Sequence, residues 1–403
     1  MVDAIVIGAG VAGLAAAREL RRGGCESLVL EARDRIGGRI HTLRPRGWPV
    51  PVEAGAEFVH GRSPALLPLA RGLREVQGRH YRTGLERADG IWAGVMEKME
   101  KLPWGRETSV QRAMETLRWK LRTTPAEREL AAAFIEGFNA ARLELASVKA
   151  IKQQTDASEQ VSGDHIARMP RGYDSVPRKL ARGLRLRLDA QVREVRWKRG
   201  RVQIVCPEQT VEAERAVITL PLGVLQKRSV RFVPGLPRWK ERAIDALAMG
   251  PVVKVALLFE ERHWPADLAF LHAQGQPVPT FWRPLPSRAP SLMGWAASRD
   301  AERLRGKNAV AEAVRSLRVA LGKRVEPRDA VVCEWQSDPF ALGAYSWVPV
   351  GAMPAQRALG RPVDGTLFFA GEATNADGFC GTVHGAIETG LRAARELLKA
   401  RGR

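Results

Sequence analysis

Three groups of residues in this 403-residue chain have the type and spacing to do chemistry. The first lies near the start. Gly8, Gly10 and Gly13 stand in G-x-G-x-x-G order, and the acid Glu31 follows eighteen residues after the last of them. Glycines so placed allow a tight turn and a close backbone approach to a pyrophosphate, while the N–H groups of a following helix face the phosphate and the acid holds ribose hydroxyls. Arg33, Arg35, Gly37, Gly38 and Arg39 come directly after. A second glycine pair followed by arginine is a second backbone-plus-guanidinium clamp for phosphate. The second group is a single lysine, Lys254, flanked by Val252, Val253, Val255 and Leu257. That run is apolar on both faces, so a solvated ammonium is the odder reading there. The third is the stretch Val52 to Gly61, whose small central residues suit close approach to a bulky planar ligand.

The elements that must position these groups are legible in outline. Ala4 to Ile7 is a short β-branched run closed by glycine, Val11 to Arg22 has helical character, and Ser27 to Leu30 is a second apolar run ending at Glu31. A glycine fingerprint after a strand and opening a helix is far more specific than the glycines alone. Between Arg62 and Gln160 the texture becomes helical: Leu66, Leu67, Leu69 and Leu73, then Val110 to Leu121, then Ala126 to Leu145, with Pro125 as a first-turn proline. Strands return at Leu184 to Leu188, Val192 to Trp197, Val202 to Val205 and Ala216 to Leu220, and are expected to rejoin the first sheet. Val252 to Phe259 and Ala330 to Trp335 read as strands, Pro277 to Pro290 as loop, and Ala309 to Leu321 as helix. Leu367 to Glu372 is a strand ending in Gly-Glu, and a long helix starts near Gly381. The expected fold class is α/β, a Rossmann-like dinucleotide-binding domain (1–61, 161–224 and 362–403) interleaved with an α+β substrate-binding domain (62–160 and 225–361) that includes the helical insert.

Composition bounds the rest. No apolar run approaches the ~20 residues of a membrane span, and no signal peptide precedes the strand that begins at residue 3, so a cytoplasmic protein is expected. The four cysteines, Cys25, Cys206, Cys333 and Cys380, are far apart, form no metal-type pair and read as reduced thiols; no metal site is expected. The net charge is +20. With no nucleic-acid motif beside it, this reads as an arginine-rich solvated surface, and no nucleic-acid partner is expected.

Seven collinear stretches resemble the flavin-containing amine oxidase family, which includes monoamine oxidases, polyamine and spermine oxidases and lysine-specific histone demethylase. They are GAGVAGLAAA (8–17), EARDRIGGR (31–39), GAEFVHG (55–61), AERAVITLPLGVL (213–225), LPRWKERAIDALAMGPVVKVALLFEERHWP (236–265), DPFALGAYSWVPVGA (338–352) and LFFAGEATNADGFCGTVHGAIETGLRAA (367–394). The resemblance implies FAD as cofactor, held by Gly8, Gly10, Gly13, Glu31, Arg33, Gly38, Arg39, Val192, Gly371, Glu372, Thr382 and Val383. It implies that Lys254 holds a water near flavin N5, and that the helix starting near Gly381 aims its N-terminus at the flavin N1–C2=O edge. Tyr345 matches one wall of the aromatic cage around the substrate amine, whereas the facing wall is Thr382. His60 matches a histidine of polyamine and spermine oxidases. Ala344 occupies the place of the cysteine that bonds covalently to flavin in monoamine oxidases, so FAD is expected without a covalent link. Trp335 and Phe340 are candidates for further pocket surface. The implied reaction oxidises a primary or secondary amine, polyamine-like or monoamine, to an imine and then an aldehyde, with O2 reduced to H2O2. The alternatives are a desaturase or oxidase of the carotenoid desaturase or protoporphyrinogen oxidase type, or an L-amino-acid oxidase.

Overall fold

In the computed structural model, which describes residues 2–99, 107–120 and 122–402, the strand Ala4–Ile7 is buried along its length. It is the centre of a five-stranded sheet ordered Arg185–Arg187, Ser27–Leu30, Ala4–Ile7, Arg215–Ile218 and Leu367–Phe369, every pairing parallel. A parallel sheet needs cover on both faces, which is why these strands read as unbroken apolar runs. Ala4 and Val6 face the helices Val11–Arg22 and Val383–Arg401, with Leu14, Ala393 and Leu397 in the same core. Ile5 and Ile7 face the other way, into a core with Val195, Ile204 and Ile244. The two helices touch so closely that a Cβ on Gly390 would come within 2.2 Å of the Ala12 carbonyl oxygen.

Two of the returning strands, Arg185–Arg187 and Arg215–Ile218, do rejoin this sheet. The others do not. Glu194–Lys198, Arg201–Val205 and Thr210–Ala213 form an antiparallel meander, joined by Arg231–Val233 as a four-stranded sheet of its own. Their short connections favour pairing with each other, and buried residues alternate along Arg201–Val205, so the meander buries one face against the first sheet.

A second large sheet has seven strands, ordered Asp329–Glu334, Val252–Leu258, Ser291–Ala297, Thr280–Trp282, Leu268–His272, Arg79–Arg82 and Glu86–Arg87. Val253, Val255, Leu257 and Phe281 point to the face covered by the helix Ala309–Leu321. Lys254 points to the opposite face, level with Trp295 on one side and Cys333 on the other. The proline-rich stretch expected as loop thus contributes a strand, Thr280–Trp282, paired on both edges.

The insert is helical in part. Pro125–Asn139 starts with a capping box formed by Thr124 and Glu127, and Val148–Gln160 is capped by Ser147. Val110–Met114 and Leu117–Lys120 are two short helices where one was expected, and Leu121, its expected end, lies outside the described residues. The Leu66 to Leu73 region makes turns instead of a helix, because Pro64 and Pro68 supply no N–H to continue one. It leads into Arg74–Glu75, which pairs with Ile166–Arg168 beside Phe58–His60.

Candidate active site

At the first glycine turn the backbone dictates the residues. Gly8 has φ +105°, and a Cβ on Gly13 would lie 1.9 Å from the Gly8 carbonyl oxygen. Gly10 is the N-cap of Val11–Arg22 and offers no side chain to its first N–H groups. Space above Gly10 is open, with no heavy atom within 4 Å of a Cβ built there, and the same holds at Gly371. An uncapped helix N-terminus facing open space suits a pyrophosphate. Glu31 is buried, its Oε2 accepting from the Ala9 N–H (2.7 Å) and its Oε1 from the Arg33 N–H (3.0 Å). These bonds fix the carboxylate at the strand end, as a ribose contact needs. Val192 is buried at the same end, two residues after Ala190, whose N–H donates to the Glu31 carbonyl. Gly10 and Gly37 form a bridge, and Gly38 packs against Gly10, so the two glycine turns are one surface.

The arginines of the second clamp behave differently from the expectation. Arg33 pairs with Asp338 (2.6 Å) and stacks on Phe340, and Arg35 donates to the Gly38 carbonyl (3.0 Å). Both guanidiniums brace the loop. Arg39 pairs with Glu372 (2.8 Å) and donates to the Ala344 carbonyl (2.8 Å). Glu372 is the hub of the second motif. Buried, it also accepts from the Ser346 hydroxyl (2.6 Å) and the Gly381 N–H (2.8 Å). One carboxylate therefore joins the first clamp, the strand Tyr345–Trp347 and the start of the last helix. That helix begins at Val383 with Thr382 as its N-cap, whose hydroxyl accepts from the Gly385 N–H (3.0 Å) and donates to the Phe379 carbonyl (2.7 Å).

Lys254 is 2% exposed. Its ammonium donates to the Glu53 carbonyl (2.7 Å), the Gly55 carbonyl (3.1 Å) and Glu57 Oε2 (2.8 Å). An ammonium has three donors. All three are engaged by one short segment, so a water held by Lys254 must share a proton with that segment. Glu57 also accepts at Oε1 from the Trp282 indole (2.9 Å) and pairs with Arg168. Burial alone would push its carboxyl up, but Arg168 and Lys254 hold it below the ordinary carboxylate range. Glu53, facing the same cluster, is pushed up to about 7 by burial, against hydrogen bonds from the Tyr173 N–H and Thr42 hydroxyl. Sequence reasoning gave Glu57 no part at Lys254 and missed Arg168. The signal for Glu57 was an acid inside an otherwise small and apolar stretch; Arg168 had none.

Tyr345, Thr382 and His60 converge beside the last helix. The Tyr345 ring lies against Gly381, which precedes Thr382, and its hydroxyl donates to the Phe138 carbonyl (2.7 Å). The Phe138 ring meets His60 edge-on at 5.7 Å and stacks on Phe134. Phe138 is 52% exposed, the largest exposure among the apolar side chains of the site. Trp295 connects this wall to Lys254: its ring centre lies 5.9 Å from the ammonium, and it packs on the same buried group, Ala140, Val252 and Ala297, as Tyr345 and Ala344. Burial pushes His60 down to about 4, so it is neutral at pH 7 and adds no charge facing an amine. Trp335 is buried and donates to the Ala54 carbonyl, and Phe340 sits under Arg33, so neither lines this wall. Cys380 is buried with its thiol pushed up to about 12 by burial.

The model of the family described as flavin containing amine oxidoreductase matches residues 11–398. The chain belongs to this family. It is 34% identical to polyamine oxidase 3 of Oryza sativa subsp. japonica over 98% of this chain and 88% of that protein. It is 30% identical to lysine-specific histone demethylase 2 of Homo sapiens over 98% of this chain and 53% of that one. Among solved structures, the fold matches putrescine oxidase bound to putrescine (TM-score 0.82, 21% identity, 99% of each chain) and cyclohexylamine oxidase of Brevibacterium oxydans (TM-score 0.83, 20% identity, 100% of each). The protein is an FAD-dependent amine oxidase.

Proposed function

We propose that the substrate is a primary or secondary amine with an extended, polyamine-like body, converted to an imine and then an aldehyde, with O2 reduced to H2O2. FAD, when bound, supplies the hydride acceptor and passes the electrons on to O2. The chain's own part is position and electrostatics. Tyr345, Phe138 and neutral His60 offer π faces and a hydrogen-bond acceptor to an amine. Thr382 stands where a second ring would narrow the entrance. Glu31, Gly10 and Glu372, with the two helix N-termini, would hold the cofactor, and Ala344 offers it no thiol.

The observation that carries the substrate class is the state of the arginines. Among the described residues, Arg39 and Arg168 adjoin the site, and each is paired with a carboxylate of the protein, Glu372 and Glu57. Neither is positioned to clamp the carboxylate of an amino acid. The curated relatives named as polyamine oxidases agree with this reading. We also place the enzyme in the cytoplasm, on the strength of its four free thiols.

Purified holoenzyme offered a panel of amines, with peroxide detection, tests the proposal. Spermine, spermidine, α,ω-diamines or arylalkyl amines should release H2O2. Faster turnover of several L-amino acids would overturn it.

A further inference from the structure

Glu57 meets two cations in a site closed to water. Its side chain is 3% exposed, Lys254 is 2% exposed and Arg168 9%. Lys254 comes from the middle of Val252–Leu258 and Arg168 from the end of Ile166–Arg168, and among the described residues nothing but the carboxylate of Glu57 lies in an ion pair with both. Two buried cations without a counter-ion repel each other, and the one able to shed its charge is the lysine, since a guanidinium does not deprotonate in proteins. The other titratable groups facing Lys254 are Glu53, on the same segment as Glu57, and Cys333, directly opposite on the neighbouring strand and pushed up by burial.

We propose that Glu57 is a positioning residue for Lys254: its carboxylate keeps the lysine an ammonium, fixes where its donors point, and so governs how the bound flavin is reoxidised. The inference rests on the reading of Lys254 as the lysine beside the flavin. Its geometric basis is local. Glu57 is two residues from Gly55, whose carbonyl the same ammonium holds, and a Cβ on Gly55 would lie 1.8 Å from the Arg39 carbonyl oxygen. A displaced lysine therefore disturbs the segment that packs on the first flavin clamp.

The test uses holoenzyme reduced with dithionite and mixed with O2, which needs no knowledge of the substrate. Wild type, in which both buried cations keep Glu57 as counter-ion, should reoxidise at rates within about twofold of one another from pH 7 to about pH 9.5. Glu57→Gln should match wild type within about twofold near pH 6 and be at least about tenfold slower near pH 9.5. The midpoint potential of its FAD should part from that of wild type over the same interval. Glu57→Asp, which keeps the charge, should follow wild type. All comparisons are repeated in a Glu53→Gln background, so that titration of Glu53 cancels. In a Lys254→Met background, where Glu57→Gln still deprives Arg168 of its partner, any remaining change in rate or potential should be the same near pH 6 and near pH 9.5. A tenfold fall in wild type, or a Glu57→Gln profile parallel to wild type whatever its melting temperature, overturns the proposal. A Lys254→Met enzyme that reoxidises normally shows instead that the reading of Lys254 has failed, and absence of amine oxidation alone concerns the proposed function.

Discussion

Glu53 is a carboxyl whose environment opposes its charge. Burial raises it from an ordinary value of 4.5 to about 7. Below pH 4.5 it is protonated in both folded and unfolded chains and changes nothing. As pH rises through 7 the folded chain must ionise a buried acid, so stability is lost on the alkaline side, by up to about 3 kcal/mol for a shift of this size. Glu53→Gln removes that titration. Thermal melts should show the variant gaining on wild type between pH 5 and pH 8, and a constant difference across that range would show Glu53 ionised throughout. Thr382 has a structural duty besides its place at the site, since its hydroxyl caps the last helix. Thr382→Val should therefore lower stability by about 1 kcal/mol in chemical denaturation, while Thr382→Ser should not.

At the scale of elements, the cofactor site depends on how closely two helices approach. Val11–Arg22 and Val383–Arg401 both aim their N-termini at the site, and they pack through Gly390 and Ala12. Gly390→Ala drives a methyl into the Ala12 carbonyl oxygen. Overpacking of this kind costs about 1–3 kcal/mol and moves backbone. The variant should melt lower and bind FAD more weakly by fluorescence titration, although residue 390 lies two helical turns from the N-terminus. Unchanged FAD affinity would mean that the two helix ends are set independently. The pairing strand Tyr345–Trp347 adds a third constraint, because Glu372 ties its Ser346 to Gly381.

For the whole molecule, charge and buried imidazoles set the response to solution conditions. A net charge of +20 repels a polycationic amine over distances longer than the Debye length, ~10 Å at 0.1 M salt. kcat/KM for spermidine should therefore rise with ionic strength up to about 0.2 M, more steeply than for a monoamine. Equal slopes would show that local carboxylates dominate approach. His60, His272 and His384 are each pushed by burial from 6.5 down to about 4. Their stabilisation is complete above pH 6.5 and is lost as pH falls through 4, each contributing about 2 kcal/mol of loss by pH 5. Melting temperature should begin to fall near pH 6.5, above the carboxylate range. The absence of a thiol at Ala344 makes a further expectation: acid precipitation should leave all flavin in the supernatant, and flavin in the pellet would disprove non-covalent binding.

The amino-acid sequence was sufficient for the parts of this protein that act through neighbours along the chain. Gly8, Gly10, Gly13 and Glu31 are spaced by the turn, helix and strand that join them, and so the strand–turn–helix unit and the acid that closes its second strand could be read directly. Lys254 stood out because its own strand is apolar on both faces. The resemblance to a known family then pointed to Tyr345, Glu372 and the last helix. What lay beyond reach were relations between distant segments. Arg33 and Arg35 looked like phosphate ligands by position, yet their partners, Asp338 and the loop carbonyls, are decided by how the loop folds against residue 338. The meander Glu194–Ala213 was strand by pattern, but its choice of sheet depended on which partner was adjacent, and the antiparallel neighbour a short turn away won. The Glu57–Lys254–Arg168 cluster joins three segments separated by about a hundred residues each; no local pattern marks it, because a buried ion pair is stable only where tertiary packing removes water and brings the counter-charge into contact.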